Sequence, residues 1–154
     1  MRRTGFAKDV VYRLELTTVF RPADAVLPIP RAHAFAAGHS DVDVVFAPRI
    51  DDAHQDHRLL GSMAPTVWRD ALVLHYEIPK WDGDLGRSNC YVPISAELGQ
   101  RKVSLLNKYY PSQQSRDWWD DETFLALMRI RGMECRSRYA EAFQASKAVL
   151  SLDN

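Results

Sequence analysis

Cysteine is scarce in this chain of 154 residues: Cys90 and Cys135 are the only two, far apart and outside any CxxC spacing. That excludes a disulfide scaffold and a cysteine-built zinc cage, and leaves two ordinary buried thiols as the reading. Net charge is missing as well. Twenty Lys and Arg balance twenty Asp and Glu, so no general attraction to nucleic acid follows and any binding must come from a local site. Long hydrophobic runs are absent too, since stretches such as Ala71 to Tyr76 fall far short of the roughly 20 residues of a membrane span. Met1-Arg2-Arg3 is not followed by an apolar segment, because Lys8, Asp9, Arg13 and Glu15 interrupt it. No secretory leader is therefore read, and a cytoplasmic protein with no membrane partner is expected. The sequence has no internal repeat, low-complexity segment or domain linker, and 46% hydrophobic with 26% charged residues suits one globular domain, 1–154, with a real core.

What is present reads as alternating strands and helices. Residues 10–20 are β-branched and partly alternating, which predicts a strand. Pro22, Pro28 and Pro30 make residues 21–31 an extended loop, and a short helix over Ala32 to Ala37 would end at Gly38. The clearest strand is Val42 to Pro48, an almost continuous apolar run that predicts a central, parallel strand covered on both faces. Asp52 with Gln55 three residues later makes a capping box, so a helix is expected from Ala53. Pro65 should kink that helix or split it near Met63. A second apolar strand, Ala71 to Pro79, completes a parallel strand–helix–strand unit, and Trp81 to Gly86 forms a turn-rich loop at the strand edge where ligands bind in open α/β sheets. Ser95 caps a helix running to Tyr110, and Asp120 or Asp121 opens another ending before Gly132. Tyr139 to Leu150 is ambiguous between helix and strand.

His54 and His57 are three residues apart at the start of the first of these helices, which places both imidazoles on one face just beyond a strand end. Asp52 and Asp56 add two carboxylates, one of which can orient an imidazole through its second ring nitrogen. By itself this is half a metal site, because zinc takes about three protein ligands and an open position. The plain alternative is a polar, solvated first helical turn, which Gln55 and Arg58 favour. His33 and His75 have no partner at ligand spacing and read as surface or satisfied core histidines. Trp118 and Trp119 read as core or rim packing, and Glu141 is undecided.

The ordered series of motifs resembles the PIG-L/LmbE-like deacetylases. Val44-Val45-Phe46-Ala47-Pro48 followed by Asp52-Ala53-His54-Gln55-Asp56-His57 is similar to that family's second signature, a strand leading into an H-x-D-H helix start. The similarity continues through Tyr76-Glu77-Ile78-Pro79-Lys80-Trp81-Asp82-Gly83-Asp84, Arg101-Lys102-Val103, Ser112-Gln113, Phe124 to Gly132 and Tyr139 to Phe143, and covers roughly residues 40–150. The resemblance implies an α/β three-layer fold with a mainly parallel, Rossmann-like sheet, incomplete at its N-terminus. It also implies zinc-dependent removal of an N-acetyl group from an N-acetylated sugar or sugar conjugate.

Residue by residue, the resemblance implies zinc ligation by His57. It implies stabilisation of the oxyanion or protonation of the leaving amine by His54. Asp56 would be a carboxylate bonded to a histidine, and Asp52 either joins that network or only caps the helix. Trp81, Asp82 and Asp84 would contact the sugar, or simply form a turn. The family's A-H-P-D-D-E motif, which carries the general base and two further zinc ligands, has no match here. Gly38-His39-Ser40-Asp41-Val42-Asp43 precedes a strand instead of following one, and residues 1–20 match the family poorly, as an internal or shifted start would. Two further expectations follow from that gap: an inactive binding or interaction module, and a homo-oligomer or second chain that supplies the missing half.

Overall fold

The computed structural model describes residues 42–149. The chain divides into two units, Met1–Ser40 and Asp41–Asn154, and the described residues belong to the second. The expected strand at 10–20, the loop at 21–31, the short helix at 32–37, His33, His39 and Asp41 lie outside the described residues.

Beginning at Val44, the order is strand β1 (Val44–Pro48), helix α1 (Gln55–Val67), strand β2 (Leu72–Tyr76), strand β3 (Cys90–Ile94), helix α2 (Ala96–Tyr109), a 3-10 turn (Pro111–Gln113), helix α3 (Asp121–Glu134) and strand β4 (Tyr139–Ala145). The four strands form one open sheet in the order β1-β2-β4-β3. β1 and β2 run parallel, with Val44 opposite Leu72 and Pro48 opposite Tyr76, so the expected strand–helix–strand unit is present. The other two pairings, β2 with β4 and β4 with β3, are antiparallel. Among the described residues the sheet is therefore mixed, not mainly parallel. The antiparallel partners are joined by long connections, β3 reaching β4 only through α2 and α3, where further parallel crossovers were expected.

Local rules account for most boundaries. Ser95 caps α2 by accepting from the Leu98 N–H, and Asp120 caps α3 by accepting from Glu122. α1 is not split near Met63: it runs on to Val67 with Pro65 in its last turn. α3 passes through Gly132 and ends at Glu134, and the left-handed residue that follows is Arg136, with φ 60°. Gly132 serves close approach instead, since a Cβ there would stand 2.7 Å from the Arg138 carbonyl oxygen. β3 contains Pro93 and sits at the sheet edge, the position a strand proline tolerates. The ambiguous last element is a strand, placed between β2 and β3, with Ala140 and Ala142 buried.

Two apolar clusters hold these elements. Ala64 of α1 packs with Ala47 and Val73, flanked by Val45 and Trp68. Val103, Phe124 and Met128 of α2 and α3 pack with Ile94 and Tyr139. By strand register these clusters belong to opposite faces of the sheet. Burying a side chain such as Met128 contributes about 1.5–3 kcal/mol. β1 differs from expectation: among the described residues it is an edge strand, and Phe46 is 59% exposed. No helix among the described residues is long and apolar enough to cross a membrane.

Candidate functional site at the carboxyl ends of β1 and β2

The two parallel strands end side by side at Pro48 and Tyr76. The chain leaving each of them forms the site. α1 can start close to that edge because Gly61 lies against the backbone: a Cβ there would meet the Pro48 carbonyl oxygen at 2.5 Å. After β1, the buried Arg49 guanidinium donates to both oxygens of Asp51, at 2.8 and 2.6 Å. That bond holds the Asp51 carboxyl below its ordinary range and braces the segment leading to the histidines. Arg58 closes it from the helix side by donating to the carbonyls of Asp52 and Ala53.

Asp52 does not cap the helix as expected. His54 is the N-cap residue, and its Nδ1 accepts the Asp56 N–H at 3.3 Å. Asp52, only 3% exposed, is instead the centre of a polar cluster. Its Oδ1 accepts the His54 N–H at 2.8 Å and faces the Lys80 ammonium at 3.1 Å. Its Oδ2 lies 3.1 Å from His57 Nδ1. The helix start shifts to Gln55 because the Asp52 carboxylate is drawn to the cation and ring of this cluster, and a ring nitrogen takes over the cap. The turn is polar and partly solvated: Asp52 and Asp56 are buried, whereas His54, Gln55 and Arg58 are exposed.

Hydrogen-bond partners assign the ring tautomers. A carboxylate only accepts, so His57 carries its proton on Nδ1, and its Nε2 presents a lone pair with no partner among the described residues. His54 Nδ1 accepts from a backbone N–H, so its neutral ring carries the proton on Nε2. The rings are neighbours, with centroids 4.7 Å apart and planes at 35°. The site thus pairs one ring lone pair with one ring N–H donor.

The expected role of Asp56 is not the one found. The histidine-bound carboxylate is Asp52, whereas Asp56 engages His54 through its backbone N–H, and its buried Oδ1 has no hydrogen-bond partner among the described residues. Position explains the exchange: in the first turn of α1 the Asp56 side chain is buried, while Asp52, just before the helix, reaches the ring.

The loop after β2 closes the cluster. Lys80 lies 2.5 Å from Asp84 Oδ2 and 3.9 Å from Asp82, and the same Asp84 oxygen accepts the Ala53 N–H at 2.7 Å. Burial acts to lower the Lys80 pKa, but the Asp84 and Asp52 carboxylates outweigh it and the net shift is upward. For Asp84, burial acts to raise the pKa, yet the Ala53 N–H and Lys80 prevail and lower it. Tyr76 is pushed up by burial first and by neighbouring Tyr110 and Asp52 next. Gly83 supplies the left-handed turn, φ 66°, that reverses the loop. Behind the loop, Arg131 grips Glu77 with two nitrogens and also donates to the Gly86 carbonyl.

Of the residues expected to contact a sugar, Trp81 is 63% exposed on the loop, and Asp82 faces Lys80 at 3.9 Å. Asp84 is committed to Lys80 and Ala53. His75 is fully buried and only half satisfied: Nδ1 donates to the Pro48 carbonyl at 2.7 Å, and Nε2 has no partner among the described residues. Lys80 belongs to this site although sequence reasoning assigned it no role. The available signal was a lone cation between a strand end and two aspartates, Lys80-Trp81-Asp82-Gly83-Asp84. As a metal centre, the described residues offer one suitable donor, His57 Nε2. No group of three or more His, Cys, Asp or Glu side chains that could hold a metal occurs among the described residues.

No protein-family model and no curated protein matches the sequence. Solved structures do match. The chain is similar to the conserved protein TT1542 from Thermus thermophilus, with a TM-score of 0.61 at 22% identity, over 88% of this chain and 64% of that one. It is also similar to the N,N′-diacetylchitobiose deacetylase from Pyrococcus horikoshii, solved with its inhibitor, with a TM-score of 0.57 at 19% identity, over 80% of this chain and 52% of that one. This chain therefore spans less than two thirds of the length of either protein, and what it shares with them is the fold.

Proposed function

We propose that the chain is a zinc-dependent N-deacetylase of the PIG-L/LmbE type, acting on an N-acetylated sugar or sugar conjugate. The carrying observation is the pair of adjacent imidazoles with opposite tautomers, His57 offering a lone pair and His54 an N–H, at the carboxyl edge of parallel strands. Amide hydrolysis calls for those two functions. When bound, zinc polarises the amide carbonyl and lowers the pKa of a water toward about 7. His57 Nε2 serves as one ligand, and the others come from residues outside the described set or from a second chain. His54 Nε2–H would donate a hydrogen bond to the oxyanion of the tetrahedral intermediate, while the base that takes the water's proton and returns it to the departing amine would come, like the remaining ligands, from outside the described residues. Asp52 is already shared among His54 N–H, Lys80 and His57, so it orients the ring and is not the base. Trp81 supplies a flat apolar face and Asp82 an acceptor for sugar hydroxyls. The likeness to a diacetylchitobiose deacetylase supports this substrate class. A three-layer, Rossmann-like arrangement belongs to the same proposal, supported by the β1-α1-β2 unit and by core clusters on opposite sheet faces.

The test uses the full chain with added zinc and N,N′-diacetylchitobiose, following release of free amine. Wild type should bind zinc and release acetate. His57→Ala should lose the zinc, whereas His54→Ala should keep it and lose about 100- to 1000-fold in turnover, as expected for one oxyanion donor. Wild-type protein that neither binds zinc nor turns over any N-acetylated sugar would overturn the proposal.

A further inference from the structure

We infer that Lys80 is a positioning residue for the histidine pair: from the end of β2 it holds Asp52 and Asp84 together, and so fixes which nitrogen of His57 carries the proton. The inference rests on the deacetylase reading only for its catalytic consequence, because the arrangement is a property of the metal-free chain.

The geometry gives Lys80 two committed partners. Its side chain is 9% exposed and its ammonium lies 3.1 Å from Asp52 Oδ1 and 2.5 Å from Asp84 Oδ2. Those carboxylates are themselves 3% and 14% exposed. An ammonium is a donor only and a carboxylate an acceptor only, so the direction of each bond is fixed. With Lys80 and the His54 N–H on Oδ1, the remaining oxygen of Asp52 faces His57 Nδ1 and holds the proton there. Asp84, on the other side of the ammonium, accepts from the Ala53 N–H and so ties the loop to the residue before His54.

Without Lys80, a buried carboxylate loses the cation that holds it in place. It would turn toward solvent, and the His57 ring would lose the acceptor that sets its tautomer. A merely structural role, in which Lys80 only fastens the loop, would leave that tautomer unchanged. A buried ion pair is in any case a weak stability device, because desolvation offsets most of the attraction. Its geometry here favours orientation.

The experiment follows histidine ring nitrogens by long-range proton–nitrogen correlation in the metal-free, full chain, at a pH above histidine titration, with His57 assigned through its own variant. Wild type should show His57 unprotonated at Nε2. Lys80→Met should give an averaged pattern of both tautomers, and Lys80→Arg, which keeps the cation, should restore the wild-type pattern in large part. Zinc titration should show affinity reduced about 10- to 100-fold in Lys80→Met, the usual effect of losing a residue that supports a ligand. A folded Lys80→Met protein with an unchanged His57 pattern overturns the inference. Should Lys80→Met not fold, Lys80→Gln, which keeps a donor without the charge, is read the same way. A wild type that binds no zinc, yet whose His57 pattern responds to Lys80, refutes the deacetylase reading and leaves the positioning role standing.

Discussion

Arg131 offers the sharpest test of how the loop behind the site is anchored. Its guanidinium donates through Nε and Nη2 to both oxygens of Glu77, through Nη1 to Glu134, and through Nη2 to the Gly86 carbonyl. Both main partners are buried, at 8% and 4% exposure. Arg131→Met keeps the apolar stem and deletes every one of these bonds. Glu77 is then a buried carboxylate with no cation, and the least costly response is to take up a proton. For an ordinary glutamic acid at pH 7 that costs about 3.7 kcal/mol, at about 1.36 kcal/mol per unit of pH above a value near 4.3. The expected loss is thus about 3–5 kcal/mol at neutral pH, the range for breaking one side of a buried pair. The native state of the variant binds a proton that the unfolded state does not, so its deficit should grow as pH rises and shrink as pH falls. Urea unfolding followed by tryptophan fluorescence at pH 5, 6 and 7 measures this. A deficit under about 1 kcal/mol, or one independent of pH, would refute the reasoning.

Three further outcomes are expected. Asp52→Asn presents an amide donor where every neighbour is itself a donor, so His57 should shift its proton to Nε2 and zinc affinity should fall about 10- to 100-fold by calorimetry; an unchanged affinity counts against Asp52 as the orienting group. The Lys80–Asp84 contribution should be constant near neutral pH. Asp84 titrates below its ordinary value, so its share is lost as pH falls through that lowered value, and Lys80 titrates above its own, so its share is lost as pH rises through that raised value. The protection of the Ala53 amide relative to its intrinsic exchange rate should therefore fall only in acid or strong alkali, and a loss of protection near neutrality would contradict the assignment. Met128→Ala, at a side chain 2% exposed, should cost about 2–5 kcal/mol in thermal or urea unfolding without altering zinc binding.

Much of the site was legible because neighbouring residues in sequence form it. The apolar run through Val44 to Pro48 and the polar burst from Asp52 to His57 placed two imidazoles at a strand end without any long-range information. What escaped was set by partners distant in sequence. Asp52 has every local mark of a helix cap, and it is Lys80, 28 residues further on, that draws it away. Cys90 to Ile94, a proline-containing stretch given no element from the sequence, forms an edge strand because β4 offers it a partner. Tyr139 to Ala145 mixes helix-favouring Ala and Glu with aromatic residues, and only its place between two strands decides it. Gly132 looks like a helix stop, but its lack of a side chain is used for contact with the Arg138 backbone.

The two buried ion pairs near this edge make the same kind of bond for different ends, and that difference can be measured. Arg131 and Glu77 meet through two parallel bonds, a geometry suited to fastening α3 to the end of β2. Lys80 is a point charge among three carboxylates, one of which holds an imidazole. Fastening can be replaced by apolar packing of similar volume, often with no net loss. Orientation cannot, because a methyl group accepts no proton from Nδ1. Replacing Arg131 and Glu77 together, as Arg131→Met with Glu77→Leu, should therefore recover most of the stability lost in Arg131→Met and leave zinc affinity near wild type. Replacing Lys80 and Asp52 together, as Lys80→Met with Asp52→Leu, should also recover stability, but with zinc affinity still reduced about 10-fold or more. If the second double variant bound zinc like wild type, the buried charges beside the histidines would be no different in kind from those behind the loop.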